Sequence, residues 1–384
     1  MIKTDSRTGR LALAVAHCAG MVDLVALPVW VGTLIAHYAF DPQQAGALVT
    51  LFLVGAVLAS AVFAPRFHRL RGRPAAALGF GVAAAAFFAA STTTAFNQLA
   101  VLHAVAGFSA GTGLSFTHGT IGRSANPHRL FAIVGMALGA FAVLFLGGTP
   151  QLVAALGGPV LFIVFGGVMA LAAITSTLAF PVPDEESQAS QSFRASGQRL
   201  PGVIWYGIAA ISCMAVAQAM VFSFVERVGV DRGFGTERVT AVLIAIGLVN
   251  LFPAAIAALL QRRVDARTVV LAGPAVQGVL ALTIAVSSGF EAYALATAVF
   301  VVPMLFTHTF AFGLLAKLDV TGRATAATPA MLMIGSAIGP VLGGTLVKAF
   351  GYGGLGAAAL LIDIVAIVLF ARLMPTTRSA EATP

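Results

Sequence analysis

Residues 10–38 read Arg10-Leu-Ala-Leu-Ala-Val-Ala-His-Cys-Ala-Gly-Met-Val-Asp-Leu-Val-Ala-Leu-Pro-Val-Trp-Val-Gly-Thr-Leu-Ile-Ala-His-Tyr38. Inside this stretch Asp23 is the single carboxylate, and everything near it is apolar, small or aromatic. A helix that crosses a bilayer needs about 20 mostly apolar residues, and this stretch exceeds that length. Lys3 and Arg7 precede it and Arg10 opens it, as basic residues precede the apolar core of a secretory leader. The run is too long for a leader's apolar core and no cleavage motif follows, so it is expected to be retained.

Eleven further runs of this kind follow, at roughly 44–65, 74–94, 98–119, 130–147, 158–179, 201–228, 236–260, 269–287, 291–315, 325–347 and 354–373. Over all 384 residues, 59% are hydrophobic and 9% are charged, against roughly 25% charged in a soluble domain. That balance excludes a soluble enzyme, a nucleic-acid binder and a disordered chain. The 41 glycines, 17 prolines and 28 phenylalanines suit a bundle of membrane helices. Cys18 and Cys213 both lie inside apolar runs, so no disulfide framework is implied.

Where the basic residues fall explains the net charge of +8. Arg227, Arg232, Arg238 and Lys348 stand on one side of the twelve runs, and the other 18 of the 22 Lys and Arg stand on the opposite side. The positive-inside rule then puts both termini in the cytoplasm, and the basic isoelectric point reports topology. A multi-pass protein of a bacterial inner membrane, acting as a monomer, is the expectation.

One segment breaks the apolar pattern. Pro181 to Arg199 carries Asp184, Glu185, Glu186, Arg194 and several Ser and Gln, the composition of a solvated linker. It divides the chain into an expected six-helix bundle at 1–179, a cytoplasmic linker at 180–200 and a second six-helix bundle with a short tail at 201–384. The bundles echo each other. At an offset of 194, Arg69 and Arg73 fall on Arg263 and Arg267; at 200, Gly122 and Arg123 fall on Gly322 and Arg323. Two such repeats are the layout of an alternating-access carrier with its site between the halves.

The sequence resembles the major facilitator superfamily of transporters over essentially its whole length. The resemblance lies in the six-plus-six layout and the loop Arg66-Phe-His-Arg-Leu-Arg-Gly-Arg73, with its counterpart Arg262-Arg-Val-Asp-Ala-Arg267. The family's loop usually reads Gly-x-x-x-Asp-Arg-x-Gly-Arg-Arg, and His68 stands where the aspartate is expected. By resemblance Arg66, His68, Arg69, Arg73, Arg263, Asp265 and Arg267 are gating-loop residues on the cytoplasmic side. In the fourth run His103-Ala-Val-Ala-Gly107 resembles the Arg-x-x-Gln-Gly of proton-linked members, with histidine at the arginine position. In the eleventh run Gly335-Ser-Ala-Ile-Gly-Pro-Val-Leu-Gly-Gly344 resembles an antiporter signature of the fifth helix. At its position here, Gly335, Gly339, Pro340, Gly343 and Gly344 read as small-residue packing between helices. The resemblance implies an all-α membrane fold of twelve helices in two pseudo-symmetric bundles, with the first and fourth helices lining a central cavity.

Ionisable side chains inside a span are costly and are functional candidates by default. Counting 1.5 Å per residue from position 10 puts Asp23 about 20 Å from the cytoplasmic end, and His103 lies about 8 Å inside the outer end. In a core of about 30 Å the two are expected at one depth, as a proton-coupling pair, because histidine titrates near neutrality. Trp30, two helical turns after Asp23, His17, Gln218, Asn250 and His308 are candidates to line a substrate cavity. Asp363, central in the last run, is expected to pair with a neighbour such as His308.

No Gly-x-x-x-x-Gly-Lys-[Ser/Thr] loop is present, so ATP is not the energy source within this chain. No catalytic constellation, metal-ligand spacing or cofactor motif stands out, so no enzyme and no cofactor is expected. The mid-span positions hold no Lys or Arg, which disfavours multiply charged anions. The expectation is proton-coupled export of an apolar or amphipathic small molecule. Proton symport of a small metabolite such as a monocarboxylate stands second, and a transporter-like sensor or scaffold is the alternative from another class.

Overall fold

In a computed structural model the described residues are 2–63, 70–124, 126–182, 202–260, 263–318 and 328–373. They form fifteen helical segments: α1 (Arg7–Gly20), α2 (Val22–Tyr38), α3 (Pro42–Phe63), α4 (Gly72–Ala90), α5 (Phe96–Gly122), α6 (Pro127–Leu156), α7 (Pro159–Ala179), α8 (Gly202–Phe222), α9 (Val225–Asp231), α10 (Thr236–Val249), α11 (Pro253–Leu260), α12 (Ala266–Val286), α13 (Phe290–Val299), α14 (Val302–Leu318) and α15 (Thr328–Leu373). Polar side chains set several starts: Ser6 caps α1 by accepting from Gly9 N–H, Asn126 caps α6 from Arg129 N–H, and Asp265 caps α12 from Thr268 N–H.

Among the described residues ten helical spans are long and apolar enough to cross a membrane, counting α1 with α2, α8 with α9 and α13 with α14 as one span each. Two further crossings are hidden by breaks and joins. The 46-residue α15 contains Gly351 at φ 67° and ψ −171°, a backbone that favours glycine, so it holds two crossings that meet at Gly351. The eighth expected run is interrupted between α10 and α11 by Asn250, Leu251 and Phe252, leaving neither piece long enough alone. The protein is therefore an all-α, multi-pass membrane protein with twelve crossings. Leu144, Leu295, Leu78 and Val101 stand 74, 70, 68 and 63% exposed, as side chains do when lipid covers them.

The crossings fall into two sets. Before residue 180, α5 packs on α3 and α4, α4 on α7, and α1 on α5, α6 and α7; after residue 201, α15 packs on α8 and α12, and α14 on α12. Glycines let these backbones approach. Gly107 and Gly111 of α5 face Phe52 and Ala56 of α3, while Gly335, Gly339 and Gly343 of α15 face Ala215, Ala219 and Met220 of α8. A Cβ at Gly335 or Gly339 would sit 2.6 Å from an alanine methyl carbon.

The sets meet mainly toward one end, the far face, opposite the N-terminus. Here α3 packs on α15, α6 on α10 and α2 on α9. Gly46 of α3 lies against the Pro340 carbonyl, Gly344 of α15 against the Pro42 carbonyl, and Val341 N–H donates to Thr50 Oγ1 at 3.2 Å. So the eleventh-crossing stripe splits by face: Gly335, Gly339 and Gly343 serve one set, while Pro340 and Gly344 serve the junction. The buried core follows the same division. One apolar cluster runs from the first set into Val221, Phe224, Tyr293 and Leu355 of the second, and a separate cluster around Ile204, Ala257, Met331 and Phe370 occupies the second set near the terminal face.

An ion pair joins the sets at the far face. Lys348 Nζ lies 2.8 Å from Asp41 Oδ2, while Asp41 Oδ1 accepts from Gln44 N–H and Gln44 Oε1 accepts from Asp41 N–H, a reciprocal cap on α3. Burial by itself would raise the Asp41 carboxyl; the Lys348 hydrogen bond and charge and the Gln44 amide outweigh it and hold Asp41 below its usual value. A depressed carboxyl contributes while ionised and loses that contribution as pH falls through its folded value. Acidification toward pH 3 is therefore expected to loosen this contact, and Lys348→Ala to remove the pH dependence. For so exposed a pair the effect is at most about 1 kcal/mol, read as a small shift of the melting midpoint with pH.

Candidate functional site

The first crossing is broken near its middle. α1 ends at Gly20, Met21 takes φ −108° and ψ 21°, and α2 restarts at Val22. Leu114 of α5 fills the space where a Gly20 side chain would be. Asp23 sits in the first turn of α2, half-buried, with its carboxylate in reach of the backbone N–H groups of Asp23 and Leu24. A helix N-terminus favours a negative charge. Among the described residues no charged side chain pairs with Asp23.

His103 is elsewhere. It is 0% exposed, and its Nε2 accepts from Trp30 Nε1–H at 3.2 Å while Nδ1 lies 2.7 Å from the Leu99 carbonyl. That arrangement requires Nδ1 to carry the proton and Nε2 to be the acceptor. Phe162 and Phe87 flank the imidazole at 5.4 and 6.3 Å, and Trp30 packs edge-on to Phe52, Phe87 and Phe165 at 5.2, 5.9 and 4.6 Å. The expected Asp23–His103 pair is not formed. Trp30 lies seven residues beyond Asp23, about 10 Å along the axis, and His103 is level with Trp30. The depth count went wrong because the crossing starts at Arg7 and is longer than the bilayer core, which puts Asp23 at mid-crossing. Trp30, 0% exposed, is likewise enclosed within the first set and does not line an open cavity. His103→Leu would leave the indole N–H without a partner, at about 1–3 kcal/mol. A lowered melting temperature in detergent is expected, with no change in how the protein responds to pH.

His17 is 6% exposed and pairs with His118, near the end of α5: His17 Nδ1 lies 3.0 Å from His118 Nε2, joining α1 to α5. Two histidines on neighbouring crossings were the available signal; helix rotation, which sequence does not give, decided the contact.

The second set differs in kind. Both side-chain atoms of Gln218, Oδ1 of Asn250 and Nδ1 of His308 are buried without a well-formed hydrogen bond. Gln277 donates to the Met214 carbonyl at 2.9 Å and its Oε1 is unpartnered. Asp363 is 0% exposed with both oxygens unpartnered, facing Gly278 and not paired with His308. Buried polar atoms ordinarily have partners; among the described residues this set holds most of the unpartnered ones, while in the first set His17 and His118, and His103 and Trp30, satisfy each other.

At the terminal face, Arg66, His68 and Arg69 lie outside the described residues. Arg73 donates to the Leu178 carbonyl at 2.6 Å, tying α4 to α7 within one set. Asp265 spends Oδ2 on capping α12 through Thr268. Arg263 is exposed and Arg267 half-buried. The residue missed most plainly is Glu226 of α9, which stands beside Arg227 in the sequence. Arg227 pairs instead with Asp231 at 2.6 Å, and the Glu226 carboxyl crosses to the first set to lie over Gly32 of α2.

Comparison with known proteins fits this architecture. A comparison with curated protein sequences finds no match. Among solved structures, the chain is similar to a D-xylose-proton symporter at TM-score 0.71 and 15% identity, covering 97% of this chain and 98% of that one. It is similar also to a bacterial homologue of the human lysosomal transporter Spinster, in an inward-facing and occupied conformation, at TM-score 0.72 and 13% identity over 95% of each chain. At such identities the likeness concerns the fold alone. The sequence model of the Major Facilitator Superfamily matches residues 12–319. The chain belongs to the Major Facilitator Superfamily.

Proposed function

We propose that this transporter works by proton-coupled alternating access, exporting an apolar or amphipathic small molecule, with Asp23 as the coupling carboxylate. The observation that carries the reading is Asp23 itself: a half-buried carboxylate at a mid-crossing helix break, without a charged partner among the described residues. Discontinuous crossings near the midplane are where carriers of this kind place ion and substrate sites. His103 then acts as a positioning residue that holds Trp30 and, through it, the α2 wall. The 18-to-4 distribution of basic residues assigns the terminal face to the cytoplasm, in a bacterial cell the cytoplasmic side of the inner membrane. On that assignment the contacts gathered at the far face describe a molecule closed outward.

The cargo class follows from what the two sets offer. Apolar side chains dominate both sets, and beside the unpartnered carboxyl of Asp363 the second set offers neutral amides and an imidazole at Gln218, Asn250 and His308. Such a lining suits an apolar body with one or two hydrogen-bonding groups. The test is a substrate screen in reconstituted vesicles with and without an imposed pH gradient. A compound whose movement reverses with the gradient supports the reading; compounds that move at one rate whether or not the gradient is collapsed would overturn it.

A further inference from the structure

α9 belongs to the second set, yet Glu226 reaches over to the first. A Cβ built on Gly32 of α2 would collide with Glu226 Oε2 and lie 2.7 Å from its Cδ, so the carboxyl rests directly on the glycine backbone. Glu226 Oε2 is buried and has no hydrogen-bond partner. The neighbouring charges are committed to each other. Arg227 NH2 holds Asp231 Oδ1 at 2.6 Å, and Tyr352 O–H donates to Asp231 Oδ2 at 2.6 Å. Tyr293 of α13, the ionisable group facing α9 from that side, donates its O–H to the Val225 carbonyl at 2.6 Å. Of the other elements packed on α9, α10 carries Glu237 and Arg238 at its outer start, with Arg238 over the Phe290 ring at 5.4 Å, and α13 carries Glu291. α12 brings no ionisable side chain to this end, and α2 brings the exposed His37, the buried Tyr38 and, two helical turns and more below Gly32, Asp23.

An ionised oxygen set on apolar backbone without a donor is costly, whereas a protonated carboxyl tolerates that position. When the sets separate at the far face, water reaches the carboxyl and removes the cost of ionisation. We propose that Glu226 is a proton-binding site built across the two sets: closure of the far face takes one proton from the adjacent water onto the Glu226 carboxyl, and release of that proton accompanies opening. On closure one O–H bond forms on the carboxyl as one breaks in a hydronium ion of the adjacent water; on opening the carboxyl O–H breaks and its proton passes to water, regenerating hydronium. This deepens the proton-coupled reading above by adding a gate site distinct from Asp23. Gly32 is part of it, because any side chain there would displace the carboxyl.

The test reads the gate without substrate. Spin labels at Ala95→Cys and Ser288→Cys, exposed far-face positions in the first and second sets, are placed in a chain with Cys18 and Cys213 replaced by serine. Their distance distribution is measured in lipid vesicles from pH 5 to 9. A one-proton site shifts the closed-to-open ratio by up to about tenfold per pH unit, with closure favoured at low pH. Glu226→Gln keeps the shape without the titration and is expected to stay closed throughout; Gly32→Ala is expected to stay open throughout. The Asp41–Lys348 pair acts with the opposite sign, loosening in acid, so Asp41→Asn should leave the Glu226 response in place. A distance that ignores pH in the parent chain, or acid-favoured closure that survives in Glu226→Gln, would overturn the proposal. Either result leaves the vesicle test of proton-driven transport standing, since that assay reads substrate movement alone.

Discussion

Gly46→Val is expected to hold the far face open and to suppress transport, while the protein still folds and inserts. Gly46 lies on the Pro340 carbonyl across the junction between the sets, with Val341 Cα beside it. Main chain cannot rotate aside as a side-chain tip can, so a branched side chain there must push α3 off α15. Overpacking of a tight contact costs about 1–3 kcal/mol, which lowers the closed population by about 5- to 150-fold. Because the strain exists only in the closed state, the melting temperature should move little, and the Ala95–Ser288 label distance should lengthen at every pH. Gly335→Val supplies the contrast. Gly335 faces Ala215, the Ser212 carbonyl and Val216 N of α8, all within one set, so the same volume is strained in every state. That variant is expected to lose thermal stability without biasing the gate. If the two variants behave alike, the division of the α15 glycines into intra-set and junction contacts is wrong.

The contrast shows which parts of this molecule are legible in sequence. Hydropathy alone located the crossings, because a bilayer admits only segments whose backbone is satisfied internally. Even the crossings that α15 and the α10–α11 break conceal in the structure were countable, since apolar length does not depend on helix continuity. The linker charge and the repeated Gly-Arg pairs suggested a division into two halves, though the linker itself lies outside the described residues. Depth was partly readable and helix rotation was not. His103 was placed near the right depth from its own helix end, but nothing in a single apolar helix says that its imidazole turns toward Trp30 rather than toward Asp23. His118 shows the same blindness from the other direction: a histidine four positions from a helix end gives no sign in sequence of a partner, and it meets His17 at 3.0 Å. Amphipathic periodicity fixes rotation in water-soluble helices; here lipid and core are both apolar, so that signal is lost. Glu226 was hidden for a further reason. Its role depends on Gly32 in the other set, and a glycine announces only that something comes close, not what.

Asp23→Asn is expected to abolish accumulation driven by a pH gradient while leaving exchange of internal for external substrate nearly intact. Asparagine keeps the size of the side chain and an oxygen that can accept from the backbone N–H groups at the start of α2, so the helix break and the fold should survive. What it removes is the exchangeable proton. For a carrier moving one proton per cargo molecule, each pH unit supports up to about a tenfold concentration ratio; without a titrating group that ratio should fall to unity. Exchange, in which the carrier reorients loaded in both directions, needs no net proton movement and reports that binding and reorientation persist. The comparison also separates three roles that one transport assay would merge. His103→Leu should lower stability and leave the accumulation ratio in place, because His103 is spent on Trp30 and Leu99. Glu226→Gln should alter the pH dependence of the gate measured without cargo. Only Asp23→Asn should reduce the driven ratio to one with exchange preserved. Retention of gradient-driven accumulation in that variant would mean the coupling proton is carried elsewhere, and the buried, unpartnered Asp363 of α15 would then be the carboxylate to replace.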